Sequence, residues 1–124
     1  MTAAATDEVN FENLFASIDE MDTERFLSFI AEDGVFRFGS SPPVTGHDGI
    51  RAAVDGFFST FAALQHELQR VIGEGDEVAV EGEVTYTRHD GSTVTLPFAN
   101  VFQLTDGRIA VYNVYVDIAP LYAT

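Results

Sequence analysis

The chain has 124 residues, 46% of them hydrophobic, and a formal net charge of -14. That length supports one domain, 1–124, with a single core. Six scattered Arg and no Lys do not make the basic face that a nucleic-acid backbone or an anionic membrane surface requires, and the lack of Cys excludes disulfides, thiol catalysis and thiolate metal sites.

The opening stretch MTAAATDEV has no basic region and no long apolar run, so it is not expected to act as a signal peptide. No apolar run approaches the roughly 20 residues that span a bilayer, and the expectation is a cytoplasmic protein. Thr6 or Asp7 is predicted to cap a first helix. Phe11, Leu14, Phe15 and Ile18 then fall on one helical stripe. Asp22 or Thr23 begins a second helix carrying Phe26, Leu27 and Ile30, with Gly34 as its stop. VFRF (35–38) reads as a short strand and SSPPVTG (40–46) as a loop. Asp48 is predicted to cap a third helix, where Ile50, Val54, Phe57 and Phe61 recur at helical spacing.

After residue 64 the period changes from helical to alternating. Strands are predicted at 65–72, 77–88, 93–104 and 108–117. GEGD (73–76) joins the first pair, and Asp90-Gly91 and Asp106-Gly107 join the others as hairpin turns. Helices followed by an antiparallel meander read as α+β. The chain has eleven Phe against four Tyr, so its interior should be rich in rings without polar handles.

This order resembles the nuclear transport factor 2-like superfamily, and within it the SnoaL-like polyketide cyclase branch. The stretches that carry the likeness are RFLSFIAEDGVFRFG (25–39), VTGHDGIRAAVDGFF (44–58), VIGEGDEVAVEG (71–82) and LTDGRIAVYNVYVD (104–117). The resemblance implies a conical fold: three helices packed on a strongly curved, mostly antiparallel sheet around a pocket. It also implies a homodimer through the convex sheet face. Fold alone does not give function, because this architecture hosts isomerases, cyclases, hydrolases and proteins without known chemistry.

The last strand, YNVYVD (112–117), holds the main site candidates. Strand side chains alternate, so Asn113, Tyr115 and Asp117 share one face and Tyr112, Val114 and Val116 the other. In the SnoaL-like cyclases an aspartate near the end of the last strand points into the pocket as acid/base, and Asp117 matches that place. A simple two-residue turn at 106–107 would pair Asn100 with Asn113 and Phe98 with Tyr115. The expected pocket is therefore lined by Phe98, Asn100, Phe102, Asn113, Tyr115 and Asp117, with Phe57, Phe61, Phe38 and Phe15 as further apolar wall. The opposite row, Tyr112, Val114 and Val116, would then be the apolar patch that a dimer covers. Pro97 can mark a bulge, which would shift this parity, so the facing of Glu81 and Glu83 stays open, with solvent the simpler reading.

His66 starts the first long strand. Facing inward it could pair with Asp117 as a switchable acid; facing the rim it would make a structural hydrogen bond. His47 and His89 read as surface residues, and three separated His do not form a metal site. Ketosteroid isomerases, of similar fold, use a tyrosine and an aspartate at positions that here carry Leu14 and Phe38, neither of which moves a proton. The Asp–Arg–Asp arrangement of limonene epoxide hydrolases is also missing, since no Arg-x-Asp occurs in the middle strands. Two function classes follow. One is a cofactor-independent cyclase, isomerase or lyase acting on a small apolar carbonyl or ring compound, with Asp117 as base, Tyr115 or His66 as proton donor and Asn100 and Asn113 as anchors. The other is a non-catalytic ligand-binding or dimerisation domain.

Overall fold

The computed structural model describes residues 9–123. The proposed caps Thr6 and Asp7 lie outside them. Helix α1 is Phe11–Asp19, and it starts from Asn10, whose side chain accepts from the Asn13 backbone N–H at 3.0 Å. Leu14, Phe15 and Ile18 bury the predicted stripe, and Ser17 joins them by donating its hydroxyl to the Leu14 carbonyl at 2.6 Å. Asp22 caps α2, Thr23–Leu27, through the Arg25 N–H.

Helix α2 is shorter than the sequence suggests, and Gly34 does not end it. Strand β1, Ile30–Phe38, starts three residues later and runs parallel to the last strand, with a register shift between Ile30 and Val35. Gly34 sits in that irregularity, where a Cβ would lie 2.5 Å from Ile30 Cγ2 and 2.9 Å from the Ala31 carbonyl oxygen. The glycine is needed for close packing of backbone. Pairing with a strand more than 70 positions away overrides local helix preference here, and a window of local sequence does not contain that information.

Strand β2 is Val44–Thr45, and α3 is His47–Phe58. Gly46, at φ 88°, is the N-cap of α3. Asp48 is not the cap: it lies in the first turn and pairs with Arg51 at 2.8 Å, while Arg51 also reaches Glu24 of α2 at 2.6 Å. Ile50 and Val54 are buried on the inner side of α3. Phe61 falls beyond the helix end but is buried, with its ring 5.0 Å from both Phe57 and Tyr86.

The four long strands are β3 (Ala63–Glu74), β4 (Glu77–Thr87), β5 (Thr93–Thr105) and β6 (Arg108–Val116), followed by a short α4, Ala119–Tyr122. They form an antiparallel meander inside a six-stranded mixed sheet of order β2-β1-β6-β5-β4-β3, which does not close. Asp106 and Gly107 have φ 52° and 75°, the double left-handed geometry of a type I′ hairpin turn. The architecture is α+β, with the helices on the concave face of the sheet and the core between the two layers.

Two bulges set which side chains point inward. Pro97 marks neither; it pairs in regular register opposite Glu83. The first bulge is in β3 at Gln69, between the pairs Leu68↔Gly82 and Arg70↔Glu81. The second is in β6: Leu104 pairs with Ile109 but Gln103 pairs with Val111, so Ala110 is the extra residue. One inserted residue moves every later side chain of β6 to the other face.

Candidate functional site

The Ala110 bulge turns the expected site inside out. Beyond it Asn100 pairs with Val114 and Phe98 with Val116, and Tyr112, Val114 and Val116 line the cavity of the concave face. Asn113 and Tyr115 therefore project from the convex face, with Tyr115 55% exposed. Asp117 follows the end of β6; it is exposed and accepts from the Ala119 N–H at 3.2 Å at the start of α4. None of the three reaches the cavity, and the expected role of Asp117 as an inward acid/base is corrected. The patch assigned to Tyr112, Val114 and Val116 is likewise pocket wall. Glu81 and Glu83 lie on the convex side, where Glu81 pairs with Arg70 at 3.1 Å.

Five predicted residues do line the cavity: His66, Asn100, Phe98, Phe57 and Phe38. Phe15, Phe61 and Phe102 are buried one layer behind it. Phe15 stacks on His66 and Phe98 at 4.9 and 5.6 Å, and Phe102 contacts Tyr112 at 4.6 Å. The space they enclose is about 60 Å³, surrounded mainly by phenyl and aliphatic groups. Three polar side chains beside His66 face into it: Asn100, Tyr112 and Tyr86.

His66 does not pair with Asp117; its partner is Asp19, the last residue of α1. Nδ1 lies 2.6 Å from Asp19 Oδ1, and the His66 backbone N–H donates to both carboxylate oxygens at 3.1 Å. The side chains are 9% and 25% exposed. A carboxylate is acceptor-only, so Nδ1 carries the proton and Nε2 is the nitrogen left free to exchange one. No hydrogen bond to Nε2 is made among the described residues. Phe15 and Phe98, the latter edge-on at 5.1 Å, fix the ring plane. Sequence reasoning missed Asp19 because 47 positions separate the partners and only the docking of α1 on β3 brings them together.

Asn100 is 3% exposed, and its Nδ2 makes one long contact, 3.5 Å, to the Tyr112 hydroxyl. Its Oδ1 has no partner among the described residues. Exchanging the amide O and N leaves one of them unpaired just the same. Nearly all buried polar atoms in folded proteins are paired, so an orphan amide against a cavity is a place for a ligand group. Burial pushes the Tyr112 hydroxyl well above the ordinary tyrosine range, with the Asn100 contact offsetting only part. Burial raises Tyr86 too, helped by nearby Tyr122. Both phenols are therefore neutral donors at ordinary pH.

The other histidines are elsewhere. His47 is half-buried and bonds the Ile30 carbonyl at 2.8 Å, and His89 bonds the Ser59 carbonyl at 3.0 Å. Among the described residues no three of His, Asp and Glu come together to hold a metal ion, and no helix is long and apolar enough to cross a membrane.

The same fold recurs in solved structures. An NTF2-like protein of unknown function from Burkholderia pseudomallei superposes with a TM-score of 0.83 at 19% identity, over 98% of this chain and 95% of that one. TerC, crystallised with polyporic acid, gives 0.80 at 22% identity over 90% and 92%. A protein assigned as a SnoaL-like polyketide cyclase from Jannaschia sp. CCS1 gives 0.75 at 21% identity over 90% and 88%. The SnoaL-like domain profile matches residues 11–112, and the chain belongs to that family.

Proposed function

We propose that the protein binds a small apolar carbonyl or hydroxyl compound in the concave cavity and moves a proton on it without a cofactor, with His66 as the acid/base. The observation that carries this reading is the His66–Asp19 pair, held at 2.6 Å beside an apolar cavity that also contains an unpaired buried amide. Asp19 is a positioning residue: it holds the Nδ1–H tautomer and the ring direction, as a carboxylate does for imidazole in other acid–base sites. Nε2 can then take a proton from carbon next to a carbonyl. The electron pair moves into the enolate, whose oxygen is stabilised by donors such as the Asn100 amide or the Tyr112 hydroxyl. Return of the proton at another carbon gives isomerisation; attack of the enolate carbon on a second carbonyl of the same molecule breaks that C=O π bond, the resulting alkoxide takes the proton back from Nε2, and the product is cyclised. Polyporic acid in the TerC neighbour is consistent with a fold that accepts apolar ring compounds.

The test is exchange of the α-protons of 2-tetralone in D₂O, followed by proton NMR. The protein should accelerate exchange, and His66→Gln should lower the rate by about 10²-fold or more, the usual contribution of a positioned base. Asp19→Asn should reduce kcat more than it raises KM, with partial rescue by Asp19→Glu. Binding of 2-tetralone without accelerated exchange would favour the second reading, a non-catalytic ligand-binding domain.

A further inference from the structure

A second cavity of about 210 Å³ lies outside the first, between the β1–β2 connection and α3, and is lined by Ser41, Pro42, Val44 and Ala53. The two spaces share Phe36, Phe38, Val54 and Phe57 as a common wall. Phe36 and Val54 are buried, but Phe38 and Phe57 are half-buried, with ring centroids 4.8 Å apart and planes tilted by 46°. Phe57 sits in the last turn of α3. The partition is thus two half-buried rings with no polar anchor.

The volumes decide what this partition does. A dry apolar cavity of ~150 Å³ accepts a benzene molecule. The inner space, about 60 Å³, is less than half of that, although it holds the orphan amide of Asn100 and the His66 ring. With the partition closed, the space beside those groups is too small to hold a whole ring. The outer space alone is large enough for a ring but touches neither.

We infer that the Phe38–Phe57 pair is an internal door and that the ligand lies through it. Its hydrogen-bonding end sits at Asn100 and His66, and its apolar body crosses the plane of the two rings into the outer space. The ligand is then an elongated, flat compound of at least two rings with its carbonyl or hydroxyl at one end. This rests on the site reading above and names the ligand class for it.

The probes are phenol and 4-phenylphenol, titrated calorimetrically into the parent, Ala53→Trp and Ser41→Trp. Ala53 and Ser41 are exposed and face only the outer space, so an indole at either fills it without touching the inner anchors. The parent should bind 4-phenylphenol at least tenfold more tightly than phenol. At least one Trp variant with an unchanged circular dichroism spectrum should lose tenfold or more for 4-phenylphenol and clearly less for phenol, whose single ring reaches less far into the outer space. Equal affinity of the parent for the two probes, or well-folded Trp variants that bind 4-phenylphenol as the parent does, would overturn the door. If the parent binds neither probe, the inner site itself fails and this inference with it. If Asn100→Leu leaves phenol binding unchanged, the anchor is wrong and the door is overturned as a route to it.

Discussion

Asn100→Leu should make the protein more stable while removing its ligand. Asn100 is almost fully buried, and one of its amide atoms is unpaired among the described residues. An unpaired buried acceptor costs about 1–3 kcal/mol. Its one contact, 3.5 Å to the Tyr112 hydroxyl, lies at the long limit of hydrogen-bond geometry and returns no more than about 0.5 kcal/mol. Leucine has the same branched skeleton with bulkier methyl ends that face the adjoining cavity; it removes the orphan and adds apolar contact with Val80 and Val114, the cross-strand neighbours of position 100. Against this stands the buried Tyr112 hydroxyl, which loses its partner at a similar cost of about 1–3 kcal/mol, so the net gain comes from the added apolar burial. The balance is a gain of about 1 kcal/mol, or about 4 °C in Tm for a domain of this size. Urea unfolding followed by circular dichroism gives the change directly, provided the m-value is unchanged. The same variant should bind 4-phenylphenol at least tenfold more weakly, the trade between stability and function expected at a binding site. A loss of more than about 1 kcal/mol would refute the reasoning, because it would mean that Asn100 is a satisfied structural residue.

Stability should fall steeply in alkali. Tyr86 and Tyr112 are raised above the ordinary value of 10.0 by burial; their stabilising effect is complete below that pH and is lost above it, at about 1.4 kcal/mol per pH unit for each. Urea midpoints between pH 9 and 11 should show this, and Tyr112→Phe should halve the slope. Gly82→Ala should cost more than about 2 kcal/mol, since the added Cβ would stand 2.0 Å from the Glu67 carbonyl oxygen at the β3 bulge; a midpoint within error of the parent would mean the bulge is misplaced. We also propose a homodimer through the convex face, where Ile72, Val101 and Tyr115 are exposed. Light scattering at micromolar concentration should give twice the chain mass, and Val101→Glu should give monomers.

Most of the fold was legible in the sequence because its signals are local. The stripe of Leu14, Phe15 and Ile18, the alternation after residue 64 and the Asp106-Gly107 turn each report short-range geometry, and each appears where expected. The first half of β1 was not legible, because Ile30 becomes strand only by pairing with Ile109 of β6, and residues 31–34 form an irregularity before pairing resumes at Val35. The site was half legible. Asn100 and Phe98 were placed inside, though through a register that is off by one, and His66 was left open between pocket and rim. Nothing in the stretch RIAVYN announces that Ala110 is bulged, and that single residue exchanges Asn113, Tyr115 and Asp117 for Tyr112, Val114 and Val116 as cavity lining. Asp19 reads locally as the end of a helix, and only the tertiary contact with His66 gives it a task.

If chemistry resides at His66 and Asp19 on the concave side and not at Asp117, ligand binding must register at His66. Heteronuclear NMR of the protein labelled with ¹⁵N, titrated with 4-phenylphenol, tests it most directly. In the free protein the His66 imidazole should be protonated at Nδ1. Ligand should shift His66 Nε2 and the Asn100 side-chain amide and leave the Tyr115 and Asp117 amides unmoved. Shifts centred on Tyr115 and Asp117, with the His66 and Asn100 signals unchanged, would contradict it.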